Sequence, residues 1–463
     1  MTGNAFVALA MFGWIPLVAL LFLLLAPARA AIVACVAGWL FLPVATFPVV
    51  GLPDYSKALA VPLVVFLAIV VFDGRRLARV RPGLVDLPIT VYCLTPAVSS
   101  LANGLGWYDA TTAVLAKVML WGLPYLIGRI YCSDAPGRER LARALLAGGL
   151  IYAPLCLWEI RMSPQLHALV YGYHQHDWTQ VLRGGGFRPM VFMNHGLMVA
   201  LWMAATTLLG FALWRGRAAL RVLGVPLWLA VPALAVVTVL CKSFGALLLL
   251  VVGGLALVSM RWLRVSLPMV LLLCLPFAWV GARVMGGWSW PGMSTLTAGL
   301  SSDRSGSLEY RIAAEDLVLE KALDKPAFGW GGWDRALRLP PGASPRTEPV
   351  ATDSLWIITF GKYGFAGLLA EMLVLAVPIV VLWRRCPPRR WDSQPAAAVA
   401  WGLALALTLY AADNLFNNME NPLYLLIAGG LSGLPAFARA RAPARVRPAL
   451  TTVRPVPAEV AAP

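Results

Sequence analysis

The chain has 463 residues, of which 60% are hydrophobic and only 13% are charged. Soluble domains use roughly 45–50% apolar and about 25% charged residues, which excludes an ordinary globular protein. The formal net charge of +16 would suit nucleic acid if the basic residues shared a soluble face, but they fall in short segments between apolar blocks, so no nucleic-acid partner is implied. The composition points to an all-α polytopic integral membrane protein.

In chain order, residues free of Asp, Glu, Lys and Arg run from Met1 to Ala28 and from Ala30 to Pro53, each long enough for one crossing. Further apolar blocks centre on 58–72, 87–108, 110–131, 144–158, 189–213, 222–241, 243–260, 265–282, 354–383, 396–412 and 421–438, giving 13 in all. The 222–241 and 243–260 blocks meet at Lys242 and Gly245 with almost no loop. A hairpin or a broken helix there keeps neighbouring counts of about 12 or 14 spans open. Ala-Pro-Ala-Arg-Ala (26–30) resembles a leader cleavage site, but there is no basic n-region and the apolar run is long, so the segment reads as a span.

Alternate connections are basic. They carry Arg75, Arg76, Arg79 and Arg81; Arg138, Arg140 and Arg143; Arg215, Arg217 and Arg221; Arg261 and Arg264; and Arg384, Arg385, Arg389 and Arg390. Positively charged loops stay in the cytoplasm, so the connections at 51–57, 103–109, 161–188, 283–352 and 413–420 are expected outside, together with the N-terminus. The chain then divides into N-terminal spans (1–160), spans carrying an Arg/Gly-rich outer loop at 161–188 (161–282), a large extracytoplasmic segment (283–352), C-terminal spans (353–438) and a tail (439–463). The tail is rich in Arg, Pro and Ala, and is expected to be disordered and to meet anionic membrane lipid. The seven cysteines avoid the long outer loops and show no zinc spacing, and there is no Walker motif.

The informative polar residues lie on the outer side. The 161–188 loop holds His167, His174, His176 and Asp177, too few ligands on too flexible an element for a metal site. In Arg183-Gly184-Gly185-Gly186-Phe187-Arg188 the glycines let backbone amides approach an anion and the guanidiniums offer bidentate phosphate contacts; the plainer reading is a flexible loop touching headgroups. Lys242, between two apolar blocks, is either a snorkelling lysine or a phosphate ligand. In the large outer segment, 308–323 reads as a helix with Leu308, Ile312, Leu319 and Leu323 on one stripe. Arg304 and Arg311 bracket its start as anion ligands or ordinary surface charges. Trp330 and Trp333, in the Gly/Trp-rich turn after that helix, suit sugar stacking or interfacial anchoring. Asp353 opens the next span, and Asp413, Asn414, Asn417, Asn418 and Glu420 follow a later one, with Asp353 and Asp413 as possible bases. Lys362 and Glu371, nine residues apart in one span, must find partners elsewhere.

Taken together, these features resemble the O-antigen ligase and polymerase superfamily of bacterial inner-membrane glycan transferases. The resemblance rests on the Arg-rich outer loop leading into a span, on Ser243-Phe244-Gly245-Ala246, on Arg311 followed by a helix and Lys325-Pro326-Ala327-Phe328-Gly329-Trp330-Gly331, and on the glycine-spaced Gly361-Lys362-Tyr363-Gly364-Phe365-Ala366-Gly367. It covers roughly residues 180 to 385. Two positions depart from the family's pattern. Phe244, with Lys242 two residues earlier, replaces an arginine, and Asp353-Ser354 replaces His-Asn. The resemblance implies an undecaprenyl-diphosphate-linked glycan as substrate, its diphosphate held by Arg183, Arg188, Lys242, Arg304 and Arg311. Asp353 would be the catalytic group that orients or deprotonates the acceptor hydroxyl. The implied transfer is inverting, uses no metal, nucleotide or other cofactor, and works alongside other polysaccharide assembly proteins. Rival readings are a lipid-linked oligosaccharide flippase and a non-catalytic subunit of a polysaccharide export machine; no convincing internal repeat favours a transporter.

Overall fold

The structure, a computed structural model, describes residues 3–286, 302–332, 334–337, 352–391 and 394–433, with the side chains of 179 and 302–310 outside that description. Among these residues, ten helices are long and apolar enough to cross a membrane, and three shorter apolar helices, Pro27–Phe41, Leu227–Leu240 and Pro422–Ser432, accompany them. Ten and three make the thirteen apolar blocks expected from the sequence. The chain is a multi-pass, all-helical membrane protein.

The helices are α1 (Ala5–Leu24), α2 (Pro27–Phe41), α3 (Lys57–Leu77) and α4 (Leu87–Ala102), followed by α5 (Gly106–Lys117), which runs through a π turn (Val118–Gly122) into α6 (Leu123–Tyr131). Next come α7 (Ala135–Met162), the short α8 (Leu166–Tyr171), α9 (Gly196–Arg215), α10 (Leu227–Leu240), α11 (Phe244–Trp262) and α12 (Leu267–Val284). The outer helix α13 (Ser302–Ala322) precedes α14 (Leu355–Arg385), α15 (Pro395–Asp413) and α16 (Pro422–Ser432). Two-residue strands form three antiparallel hairpins: β1 (Thr46–Phe47) with β2 (Tyr55–Ser56), β3 (Leu182–Arg183) with β4 (Gly186–Phe187), and β5 (Arg221–Val222) with β6 (Val225–Pro226).

The core is the pair α9 and α15. In each, 89% of the apolar window is buried inside the protein, against 28% for α1 and α11, whose side chains face outward. Both central helices are rich in alanine and glycine. A Cβ on Gly402 would meet the Ala212 Cβ at 2.8 Å, so small residues bring these helices together as they do in membrane bundles generally. The same device seats α16, since Gly128 faces the Leu426 carbonyl and Gly429 the Tyr125 carbonyl. The 11 residues of α16 are too few to span a bilayer, and all are buried in protein.

The basic connections gather at one end of the bundle, where Arg76 Nε donates to the Ile130 carbonyl (3.2 Å), Arg143 Nη2 to that of Ala218 (3.0 Å) and Arg261 Nη1 to that of Arg215 (2.6 Å). The opposite end collects the connections expected outside. There Asn4 N–H donates to the Tyr171 carbonyl (3.0 Å) and Leu355 N–H to that of Asn414 (3.1 Å).

One expectation needs correction, and one left open is resolved. Helix α13 begins at Ser302, six residues before the stripe suggested. Leu323 is exposed because α13 ends at Ala322, while Ile312, Val318 and Leu319 carry the buried face. The close meeting at Lys242 is a hairpin in which Cys241–Ser243 alone join α10 to α11, with Lys242 left-handed at φ 53°. The tail 439–463 lies outside the described residues.

Helix α14 is interrupted at Gly364 (φ 61°, ψ −163°). The broken turn exposes backbone groups, and the Lys-Pro-Ala-Phe-Gly-Trp-Gly loop supplies their partners. Trp330 N–H donates to the Gly361 carbonyl (2.9 Å), Gly331 N–H to that of Lys362 (3.0 Å), Phe365 N–H to that of Pro326 (2.7 Å) and Ala366 N–H to that of Ala327 (3.2 Å). A buried break survives only when its freed groups are satisfied in this way. The approach leaves no room for side chains: a Cβ on Gly329 would lie 2.5 Å from the Lys362 carbonyl carbon, and one on Gly364 would strike Ala327.

Candidate functional site: a cationic basin at the outer end

The basin is built first by the β3–β4 hairpin. Gly184 (φ 52°) and Gly185 (φ 69°) both take positive φ, the geometry of a two-residue hairpin turn. Arg183 is exposed on the hairpin, with Nη2 3.1 Å from Gln180 Oε1. The Lys242 ammonium packs directly over Gly186, where a Cβ would displace it. That ammonium donates to the Gly184 carbonyl at 3.2 Å, so the α10–α11 turn clasps the hairpin.

Arg188 leaves the hairpin pointing inward. It is buried, its Nη2 donates to the Lys242 carbonyl at 3.2 Å, and its Nε has no hydrogen-bond partner. Burial, with the charges of Arg183 and Arg311 adding to it, lowers its pKa from 12.5 to about 10. The segment after Arg188 is held by Glu159 of α7, whose Oε2 accepts from the backbone N–H of Met190 and of Val191, each at 2.7 Å. His195 then caps α9, its Nδ1 accepting from Leu197 N–H at 3.0 Å. Burial first, then His176, Arg188, Arg311 and Arg183, depress its pKa from 6.5 to about 3, so it is a neutral acceptor at neutral pH. The depressed values of Arg188 and His195 register one field, to which the hairpin contributes Arg183 and Arg188 and α13 contributes Arg311.

Arg311 comes from α13. Its Nη1 donates to Asn417 Oδ1 (3.3 Å), and its Nε lies 3.4 Å from Asp353 Oδ2. Asn417 in turn donates from Nδ2 to Asp413 Oδ1 at 2.8 Å, which links Asp353, Arg311, Asn417 and Asp413 in one row. Helix α13 is pinned to α14 by Ser354, whose hydroxyl donates to Glu315 Oε1, and by Arg283 of α12, whose Nη2 lies 3.4 Å from Glu315 Oε2 and 2.7 Å from Asp316 Oδ1. Burial raises the Glu315 carboxyl to about 7 against the opposing pull of Ser354 and Arg283.

The contacts therefore form two groups, Lys242 and Arg188 with the hairpin that carries Arg183, and Arg311 with Asp353, Asn417 and Asp413, and Arg311 lies within electrostatic reach of Arg188. Trp330 stands apart. Its Nε1 donates to the Lys321 carbonyl (2.8 Å) and its ring lies under Lys325 Nζ (4.3 Å to the centroid), so it anchors the loop that closes the α14 break. The Arg304 side chain and Trp333 lie outside the described residues. In the 161–188 loop His167 is buried, with Nε2 accepting from Val44 N–H at 3.2 Å, and burial lowers its pKa to about 4.

A second polar centre, unexpected from the sequence, lies deeper. Lys117 sits where α5 gives way to the π turn. Its Nζ is 3.7 Å from Glu420 Oε1 and 3.3 Å from Tyr92 OH, and it lies over the rings of Tyr92 (4.7 Å), Tyr363 (5.5 Å) and Trp121 (5.6 Å). Trp121 Nε1 donates to Glu420 Oε1 at 2.7 Å, and Tyr92 OH donates to Glu371 Oε2 at 3.4 Å, which is the partner Glu371 required. Lys362 finds Asp334 at 3.7 Å. The available signal was a lysine inside an otherwise apolar block, since an intramembrane charge is costly unless it is paired. No protein-family model and no curated protein matches this chain by sequence.

Proposed function

We propose that the outer basin binds the diphosphate of a lipid-linked glycan and that the protein transfers that glycan to an acceptor sugar hydroxyl, as a polysaccharide polymerase or O-antigen ligase-like transferase of the bacterial inner membrane. One observation carries this reading: Arg188, buried and with an unpartnered Nε, shares a field with Arg183 and Arg311, while no carboxylate among the described residues pairs with it. A buried guanidinium among like charges calls for an anion, and planar forks suit phosphate oxygens. An amphiphile entering from the outer leaflet would reach the basin with its anionic headgroup at this depth. Neutralising the diphosphate makes it a better leaving group, so binding charge serves the chemistry as well.

The test is complementation in the native host with Arg188→Ala and Arg311→Ala. The expected result is loss of surface polymer, with lipid-linked glycan accumulating on the outer leaflet and the protein still in the membrane. Polymer at the wild-type level in both variants, or accumulation on the cytoplasmic leaflet, would refute the reading.

A further inference from the structure

Resting on the transferase reading, the geometry points to Asp413, and not Asp353, as the base that takes the acceptor hydroxyl's proton, within a buried hydroxyl-binding seat formed by the α15–α16 connection. Asp353 is 56% exposed and spends its carboxylate on Arg311 at 3.4 Å. Asp413 is 7% exposed, and among the described residues only its Oδ1 is engaged, by Asn417, while Oδ2 has no hydrogen-bond partner. Further buried polar atoms of the same connection also lack partners among the described residues: Nδ2 and Oδ1 of Asn414, Nδ2 of Asn421 and the hydroxyl of Tyr424. They belong to the same cluster. Asn421 N–H donates to Tyr410 OH at 3.4 Å, Tyr410 and Tyr424 stack with ring centroids 4.3 Å apart, and Tyr424 lies within the field of Asp413.

Buried donors and acceptors are ordinarily paired, so five orphan atoms around one connection mark a place for a polar guest. Their chemistry suits a sugar: Oδ2 accepts a hydroxyl proton, Asn421 Nδ2 donates, and the Tyr424 phenol does either. The seat is also next to the electrophile. Arg311 is within electrostatic reach of both Arg188 and Asp413, and it is joined to the latter through Asn417. A hydroxyl on Asp413 therefore faces an anomeric carbon whose diphosphate lies on the guanidiniums. In the step, the acceptor O–H proton passes to Asp413 Oδ2 and the oxygen forms the bond to the anomeric carbon. The bond from that carbon to the diphosphate oxygen breaks, its electron pair leaving with the lipid diphosphate. The carboxylic acid then returns its proton to the outer aqueous face.

The experiment compares Asp413→Asn, Asp353→Asn and Arg188→Ala of the full chain in native membranes, scoring surface polymer, membrane level and outer-leaflet lipid-linked glycan. Asparagine preserves the acceptor for Asn417 and removes only the basicity. Loss of a general base costs roughly 100-fold or more. Asp413→Asn is expected to lose polymer on that scale with normal membrane level and accumulated donor, while Asp353→Asn, which removes a half-exposed ion pair with Arg311 and no base, loses about tenfold or less. Wild-type polymer from Asp413→Asn or Asp413→Ala, or an equal loss in Asp353→Asn, overturns the assignment. If Asp413→Asn is silent while Arg188→Ala is not, only this inference fails; if both are silent, the transferase reading fails with it. Should Asp413→Asn not reach the membrane, Asp413→Glu decides. Reduced but present polymer supports the base, and a normal membrane level with no polymer overturns it.

Discussion

Two groups of charged side chains lie at different depths in this bundle, and they are solved in opposite ways. Around Lys117 every charge meets an answering group: Glu420 and three aromatic faces for the ammonium, the Trp121 indole for Glu420, the Tyr92 hydroxyl for Glu371. Around Arg188 the neighbours repeat its sign, and Nε is left without a partner. A balanced cluster holds helices in register, whereas an unbalanced one is arranged for something that arrives. Intramembrane charge alone therefore does not identify a binding site; incomplete pairing does.

That contrast can be broken most sharply at Arg188. Arg188→Ala should remove roughly 100-fold or more of the transfer activity, the scale of losing one preorganised charge partner, yet leave thermal stability in detergent nearly unchanged or improved, because like charges are separated. A large drop in melting temperature would place Arg188 in the structural class. Lys117→Met should behave in the reverse sense. It leaves Glu420 and Glu371 without their cation and should destabilise by about 3 kcal/mol, while the double variant Lys117→Met with Glu420→Met should recover most of that loss. A thermal-melt cycle that shows no coupling would dissolve the comparison.

Smaller effects follow from protonation. His195 has a folded pKa of about 3 against 6.5, so its contribution is full above pH 6.5 and drains away as pH falls toward 3. Melting temperature should fall with acidification over that window, and His195→Asn, which offers α9 a capping oxygen in place of Nδ1, should flatten the slope. Glu315 gives the opposite sign. With its folded pKa raised from 4.5 to about 7, it favours the folded state at acid pH and loses that contribution as pH rises through 7. Glu315→Gln should remove this weaker dependence, read as proteolytic sensitivity of α13 across that range.

Much of the fold was legible in the sequence because bilayer physics writes itself in blocks of about 20 residues and in alternating basic connections. All thirteen apolar segments coincide with helices. The outer site was legible in part. Arg183, Arg188, Lys242 and Arg311 stood out as charges beside glycines or between apolar runs, but their convergence is a tertiary fact. Trp330 stayed open between sugar platform and anchor because a tryptophan after a glycine looks the same whether its ring faces a ligand or a lysine from its own loop. Arg283 and the Lys117 centre were missed, and Asn417 stood without its link to Arg311, because the partners lie far along the chain: 32 residues separate Arg283 from Glu315 and 106 separate Arg311 from Asn417.

The interruption of α14 at Gly364 bears on how the protein can vary. The 325–331 loop is read there by main chain against main chain, so the recognition is written in side chains that are missing. Phe328, exposed, can change freely. Gly329 and Gly364 cannot, since one methyl group at either position would strike the backbone of the facing segment. Two hydrogen atoms thus hold the loop after α13 against the broken helix, and the chain is most tightly constrained at two positions that carry no side chain at all.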